Sequence, residues 1–529
     1  MEELHQYCYF CHTIITRACM FLSTTRSRFI VLLISCLSLL SLGVLGQQIH
    51  PAPEFRGVWV ATVNHIDWPS KPGLPTDKIK AEVVQLLNQQ HQLGMNTVIL
   101  QVRPAADAFY PSSIDPWSRY LTGEPGQAPE PYFDPLQFWI EECHRRDMEL
   151  HAWLNPYRLA QYSSEPLASN HIAFKHPEWV VEYGGKLYFD PGVPAARDYL
   201  VHVVAELVGR YDVDAIHFDD YFYPYPTADP FPDNASFSLY NRAFFPEARA
   251  DWRRENVDIL IKMLNETIKE IKPWVKFGIS PFGVWRNRSA DPEGSATRAG
   301  VSNYDDLYAD IRKWLREGWI DYVLPQLYWE IGHPAADFAT LTEWWNQNAF
   351  GRSLYIGHSP YKVDRSTPNA AWGKPGELPK QIDFLRQFPN VSGSAFFSSR
   401  HFNRDLLGFQ DSLIQRLYSL QALVPPMPWL QQGELPVPDK VTAKQSRLEW
   451  DPLETPFPGG KPQRYVVHLY PSKRAAELRD GLRMRFLAQD HWIEFTQRPG
   501  RRHTYWITVT VLDRLNNEGQ PSRPVKVKL

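Results

Sequence analysis

Two neighbouring aspartates, Asp219 and Asp220, close the apolar stretch in "DVDAIHFDDYFYPYP" (212–226), and Tyr221, Phe222, Tyr223 and Tyr225 follow at once. Like charges this close raise one another's pKa. The pair is therefore costly unless a carboxyl that keeps its proton has a use. Glycoside hydrolysis supplies one, since a carboxylic acid protonates the leaving oxygen while a carboxylate attacks or activates water. Rings beside the pair serve the same chemistry by stacking on sugar faces and raising the acid's pKa through desolvation. A single Asp after a strand is usually a turn cap or an arginine's partner. Two in a row before three tyrosines point to catalysis.

Metal-dependent hydrolysis is the competing chemistry. No H-E-x-x-H or H-x-H motif occurs, and His65, His151, His217, His358 and His401 are scattered over five strands or loops. His151 and His217 lie early enough in their strands to be satisfied core residues. Neither a metal nor a cofactor is expected.

The elements that must hold these residues alternate regularly. Strand candidates are 55–63, 96–104, 149–157, 214–222, 276–284, 321–329, 354–362 and 393–401, with amphipathic helices such as 76–94 after each and a last helix over 404–424. Eight β-then-α units predict an α/β fold, a (β/α)8 TIM barrel. A doubly wound sheet is disfavoured, because no G-x-G-x-x-G follows any strand. Alternation sends His217, Asp219 and Tyr221 to one side of strand four, the side facing the barrel axis. Other strand ends bring Gln101 and Arg103, Asn155, Tyr157 and Arg158, Trp285 and Arg286, and Gln326, Tyr328, Trp329 and Glu330 to the same rim.

The whole chain sets the frame. Its 529 residues carry a formal net charge of -3, which leaves no electrostatic footprint for nucleic acid. Residues 1–46 read as a leader: Arg26 and Arg28, an apolar run, and small residues before Gln47. Met20 is an alternative start. "LISC" (33–36) also fits a lipoprotein box with Cys36 lipidated, but the apolar run continues past Cys36, which favours cleavage after Gly46. A retained anchor is the third reading. The expected location is periplasmic or extracellular, as an outer-membrane lipoprotein if Cys36 is lipidated. Membrane contact is expected only if the leader is retained or lipidated. Cys143 is the one cysteine beyond the leader, so no internal disulfide is expected. The barrel is assigned to 50–423, a Pro-rich linker to 424–440, and a fibronectin type III-like β-sandwich to 441–529, folding apart from the barrel.

The motifs "EFRGVWVATVNHIDWPS", "GMNTVILQVRPAADAFYPS", "HAWLNPYR", "YFDPGVP", "HFDDYFYPYP", "GISPFGVWRNR" and "PQLYW" resemble the signatures of the glycosyl-hydrolase-like-10 family, in order over most of 54–415. These are bacterial envelope proteins, including an enzyme that cleaves peptidoglycan glycan strands stripped of stem peptides. The resemblance implies a barrel glycosidase whose partner is a cell-wall amino-sugar polymer, with wall association through the C-terminal module. It places the acid at Asp219 or Asp220. The second carboxylate is the other of these, Asp107, Asp190 or Glu330, although Asp67, Asp107 and Asp190 also read as turn or cap residues. Arg103, Arg158 and Arg286 would clamp the lactyl carboxylate of a muramic unit. Gln101, Asn155 and Gln326 would bind substrate, and Tyr157, Tyr221, Tyr223, Trp285, Tyr328 and Trp329 are stacking candidates. The alternative is a barrel that binds carbohydrate without chemistry.

Overall fold

A computed structural model describes residues 53–529 apart from 431–432, 454–463, 480–481, 483 and 496–502. The leader and Cys36 lie outside the described residues. Eight parallel strands close a barrel: β1 Phe55–Val60, β2 Thr97–Arg103, β3 Glu149–Leu154, β4 Ala215–Phe218, β5 Lys276–Ile279, β6 Tyr322–Val323, β7 Ser353–His358 and β8 Val391–Phe396. Each pairs with its neighbours in sequence, and β8 closes on β1. The strands are buried on both faces except at the first residues of β7 and β8. That is why they read as near-continuous apolar runs.

Helices cover the outside, among them Thr76–Gln92, Pro194–Arg210 and Arg249–Ile271. The helix expected over 404–424 is a correction. Only Phe409–Ser412 and the wider turn Leu413–Leu417 are helical. The chain then runs under the barrel, where the Leu420, Ala422 and Leu423 carbonyls accept from Arg56, Asn96 and Glu54.

The alternate strand positions fill the barrel with their own cluster, including Phe55, Trp59, Ile99, Trp153, Tyr322 and Tyr355. Tyr322 lies across the axis, and Gly278 on β5 makes room for it: a Cβ there would sit 1.9 Å from the ring. A buried polar chain threads this interior. The Tyr322 hydroxyl meets His151 Nδ1 at 2.9 Å and His217 Nδ1 at 2.8 Å. His217 Nε2 reaches the Ser280 hydroxyl at 2.8 Å, and His151 Nε2 reaches Glu149 at 2.9 Å. Burial works to raise the Glu149 carboxyl, yet Lys276, at 2.6 Å, and His151 hold it below its ordinary range.

The tail forms two antiparallel sheets. One joins Thr442–Lys444, Arg447–Glu449 and Trp492–Glu494; the other joins Met484–Ala488, Arg464–Tyr470, Thr504–Leu512 and Val525–Lys528. Leu448 and Trp450 from the first side pack on Val467 and Val509 of the second. The tail has a core of its own and also closes the N-terminal end of the barrel. Val424 joins the barrel's inner cluster, and Leu423 packs with Val466 and Leu512. Asn516 donates to Glu149 at 2.7 Å, and Arg464 donates to the Asp147 carbonyl at 2.9 Å. The start of the assigned linker is thus a plug.

Candidate active site

At the other end of the barrel the strand termini surround a cleft of about 540 Å³, within the usual range for small-ligand sites. Asp219 and Asp220 both line it. Asp219 follows the inward alternation of His217. Its Oδ2 accepts from the Trp153 indole at 3.1 Å and from Asn155 at 3.2 Å, and its Oδ1 accepts from the Tyr221 backbone at 3.4 Å. Asp220 accepts from the Tyr225 hydroxyl and from the Gln326 side chain. Burial, and after it the Asp220 charge, pushes the Asp219 carboxyl up to about 7. Burial raises Asp220 as well, against the pull of its two donors.

Arg158 lines the same cleft. It is set by a short strand, Arg158–Ala160, that pairs with Lys186–Phe189. Its Nε donates to the Pro104 carbonyl at 3.0 Å, and its guanidinium stands 5.4 Å from the Tyr221 ring centre. Among the described residues no carboxylate lies within ion-pair distance of it. Gln101, Tyr221, Gln326 and Tyr328 also line the cleft. Asn155 acts from behind, through Asp219.

Several expected residues stand elsewhere. Glu330 does not line this cleft; it ties two loops by accepting from Asn369 at 3.0 Å and Trp372 at 2.9 Å. Arg103 is wholly buried against Asp115 at 2.7 Å and donates to the Asn155 carbonyl at 3.1 Å. Arg286 grips Asp305 with two nitrogens, at 2.8 and 2.9 Å, and Asp291 with a third. Of the three arginines, only Arg158 lines the cleft. Trp285 packs on Trp344, while Trp329 packs edge-on to Phe282. Tyr157 and Tyr223 are core residues, each about 1% exposed. Asp190 caps its own turn through the Gly192 amide at 2.9 Å. Asp107 binds the Ala105 amide at 2.9 Å and lines a separate recess. Asp67 joins the loops after β1 and β8, accepting from Ala61, Ser398, Ser399 and Arg400.

The cleft also holds residues the strand-end reading passed over, including Trp59, Asn64, Trp153, Ser280, Tyr361, Phe397 and His401. Trp153 was within reach, because alternation through "HAWLN" puts His151, Trp153 and Asn155 on one face. Among the described residues no group of three or more His, Cys, Asp or Glu side chains is placed to hold a metal ion.

A family model described as "Glycosyl hydrolase-like 10" matches residues 54–373. Glycosyl hydrolase YngK of Bacillus subtilis is 45% identical over 483 residues, 89% of this chain and 92% of that protein. Glycosyl hydrolase DigH of Escherichia coli K12 is 40% identical over 66% of this chain and 84% of its own length. Among solved structures, the PgaB (BpsB) glycoside hydrolase domain from Bordetella bronchiseptica aligns at 13% identity over 69% of this chain and 99% of that one, with a TM-score of 0.45.

Proposed function

The chain belongs to the glycosyl hydrolase-like 10 family and is a glycosidase, and from that premise we propose that it cleaves peptide-free peptidoglycan glycan strands by acid catalysis from the Asp219–Asp220 pair. Two raised, adjacent carboxyls titrate as a unit, so a proton on the pair is shared between them. Asp219 faces N–H donors, which suit an anion. Asp220 faces a phenol and a primary amide, each of which accepts as well as donates. A proton shared by the pair can therefore reside on Asp220 with its partners still bonded. Asp220 is thus assigned as the acid toward the leaving oxygen, and Asp219 as the companion carboxylate.

The observation that carries the substrate assignment is Arg158, a buried guanidinium in the cleft with no carboxylate of its own. A muramic lactyl carboxylate fits it through charge-assisted hydrogen bonds, worth roughly 1.5 to 3 kcal/mol net. A stem peptide turns that carboxylate into an amide and adds bulk. The site of action is placed outside the cytoplasm, on the strength of the leader-like residues 1–46.

The test compares initial rates on denuded strands, intact sacculi and chitin fragments at equal glycan concentration. Denuded strands should lead by about tenfold or more. Equal rates on all three remove Arg158 from the substrate assignment, and chitin as the best substrate removes the wall.

A further inference from the structure

We propose that the nucleophile belongs to the substrate: the carbonyl oxygen of a 2-acetamido group attacks the anomeric carbon while Asp219 holds that group's N–H and Asp220 protonates the leaving oxygen. This rests on the amino-sugar reading above.

The geometry leaves little else. A glycosidase with two independent carboxylates sets them on either side of the scissile bond, about 5 to 5.5 Å apart for a nucleophile and about 6.5 to 9.5 Å apart for a water. Asp219 and Asp220 are consecutive residues at the end of β4, so both reach the cleft from a single strand end. The attacking group must reach the anomeric carbon from the face opposite the leaving oxygen. The cleft is also lined by Asn64, Tyr328, Tyr361, Phe397 and His401, and apart from Asp219 and Asp220 no carboxylate is among the described lining residues. Asp67 and Glu330 are closed on their own donors. Burial pushes Tyr328 and Tyr361 away from ionisation. Burial, and after it Arg404, holds His401 down to about 4.

Asp219 suits the positioning role. A carboxylate offers about four lone-pair sites, and Trp153, Asn155 and the Tyr221 amide take three. Asn155 reaches both oxygens, at 3.3 and 3.2 Å, so an amide N–H from the cleft would take the place of one of its two contacts. Beside it, Trp59, Ala61 and Trp153 give an apolar wall for the acetyl methyl.

In the first step the C1–O bond to the acetamido oxygen forms as the glycosidic C1–O bond breaks. The Asp220 proton passes to the leaving oxygen and the amide proton to Asp219, leaving a neutral oxazoline. Water then adds to C1 as the oxazoline C1–O bond breaks, giving its proton to Asp220, while Asp219 returns its proton to nitrogen. One water is consumed, both carboxyls are restored, and two inversions retain the configuration.

The experiment uses the full chain on denuded glycan strands in three forms: native, de-N-acetylated, and de-N-acetylated then re-N-acetylated. Proton NMR follows the first-formed anomer. Loss of the acetyl group should slow cleavage at least about a hundredfold, and re-acetylation should restore it. The product should form with retention, and a 2-deoxy-2-fluoro glycosyl fluoride should leave the protein unlabelled. Cleavage of the de-N-acetylated strands within about threefold of native, inversion, or a covalently labelled carboxylate overturns the inference and spares the wall-glycan reading. Native strands that stay intact overturn that reading and this inference with it.

Discussion

The Trp153 indole donates to Asp219 from the neighbouring strand, 66 residues away in sequence, at 3.1 Å. The bond is made to a charged acceptor inside the cleft, so it bears on how readily that carboxyl ionises. Trp153→Phe keeps the ring and removes the donor. The anion loses support, the Asp219 carboxyl rises further, and the acidic limb of the rate profile moves to higher pH. A loss of roughly 1.5 to 3 kcal/mol corresponds to about ten- to a hundredfold in kcat/KM. A pH profile with an unmoved acidic limb would separate Trp153 from the titration.

Asp220→Asn and Asp219→Asn should each lower kcat/KM on glycan strands by at least about a hundredfold. Leaving groups tell them apart. An aryl glycoside with an acidic phenol needs no proton, so it should recover most of its rate with Asp220→Asn and little with Asp219→Asn. Rates across a series of phenols check the assignment, and equal recovery would reverse or dissolve it.

Stability should respond in the opposite direction from activity. The folded Asp219 carboxyl sits near 7, above its unfolded value of about 3.9, so the folded state binds more protons between those values. Its contribution is therefore a penalty that grows as pH rises from about 4 through 7. Asp219→Asn removes the penalty. Its thermal midpoint should match the parent's near pH 4.5 and equal or exceed it at pH 8. A midpoint that falls at pH 8 would mean that the carboxylate is held by more than its present donors.

Arg158→Gln should cost about tenfold or more on denuded strands, and far less on strands whose lactyl groups are amidated. Arg286→Gln, with its guanidinium already committed to Asp305 and Asp291, should leave that preference unchanged. Competition between the two substrates in one tube reads the preference directly.

A chain ending at Leu423 removes Val424 from the barrel's inner cluster and Asn516 from Glu149. It should aggregate or melt well below the full chain. Asn516→Ala alone should destabilise by about 1 to 3 kcal/mol, read by denaturant unfolding. A truncated chain as stable as the parent would show that the contacts under the barrel hold little.

The barrel was legible in sequence because strands buried on both sides must be apolar throughout, and eight such runs recur between amphipathic segments. The direction of Asp219 was legible for the same kind of reason, since alternation with His217 carries through the strand end. The arginines were not. Arg103, Arg158 and Arg286 look alike as strand-end cations, and only their partners distinguish them. Asp115 lies 12 residues from Arg103, and Asp305 lies 19 from Arg286, in loops whose return path no periodicity records. Glu330 was misplaced for a related reason: its donors come from the next loop, at Asn369 and Trp372. The docking of the tail left no local signature, because its contacts with Glu149 and Asp147 join residues more than 300 positions apart.

That last separation has a consequence in time. Glu149 and Lys276 are both translated long before Asn516, which lies 367 residues beyond Glu149. At about 5 to 20 residues per second, β8 leaves the ribosome on the order of ten seconds before the chain is complete. A nascent ring of eight strands would wait through that interval with its floor open and Glu149 one donor short. The last native bond on this carboxylate therefore forms late, and the barrel keeps an open floor until Asn516 arrives.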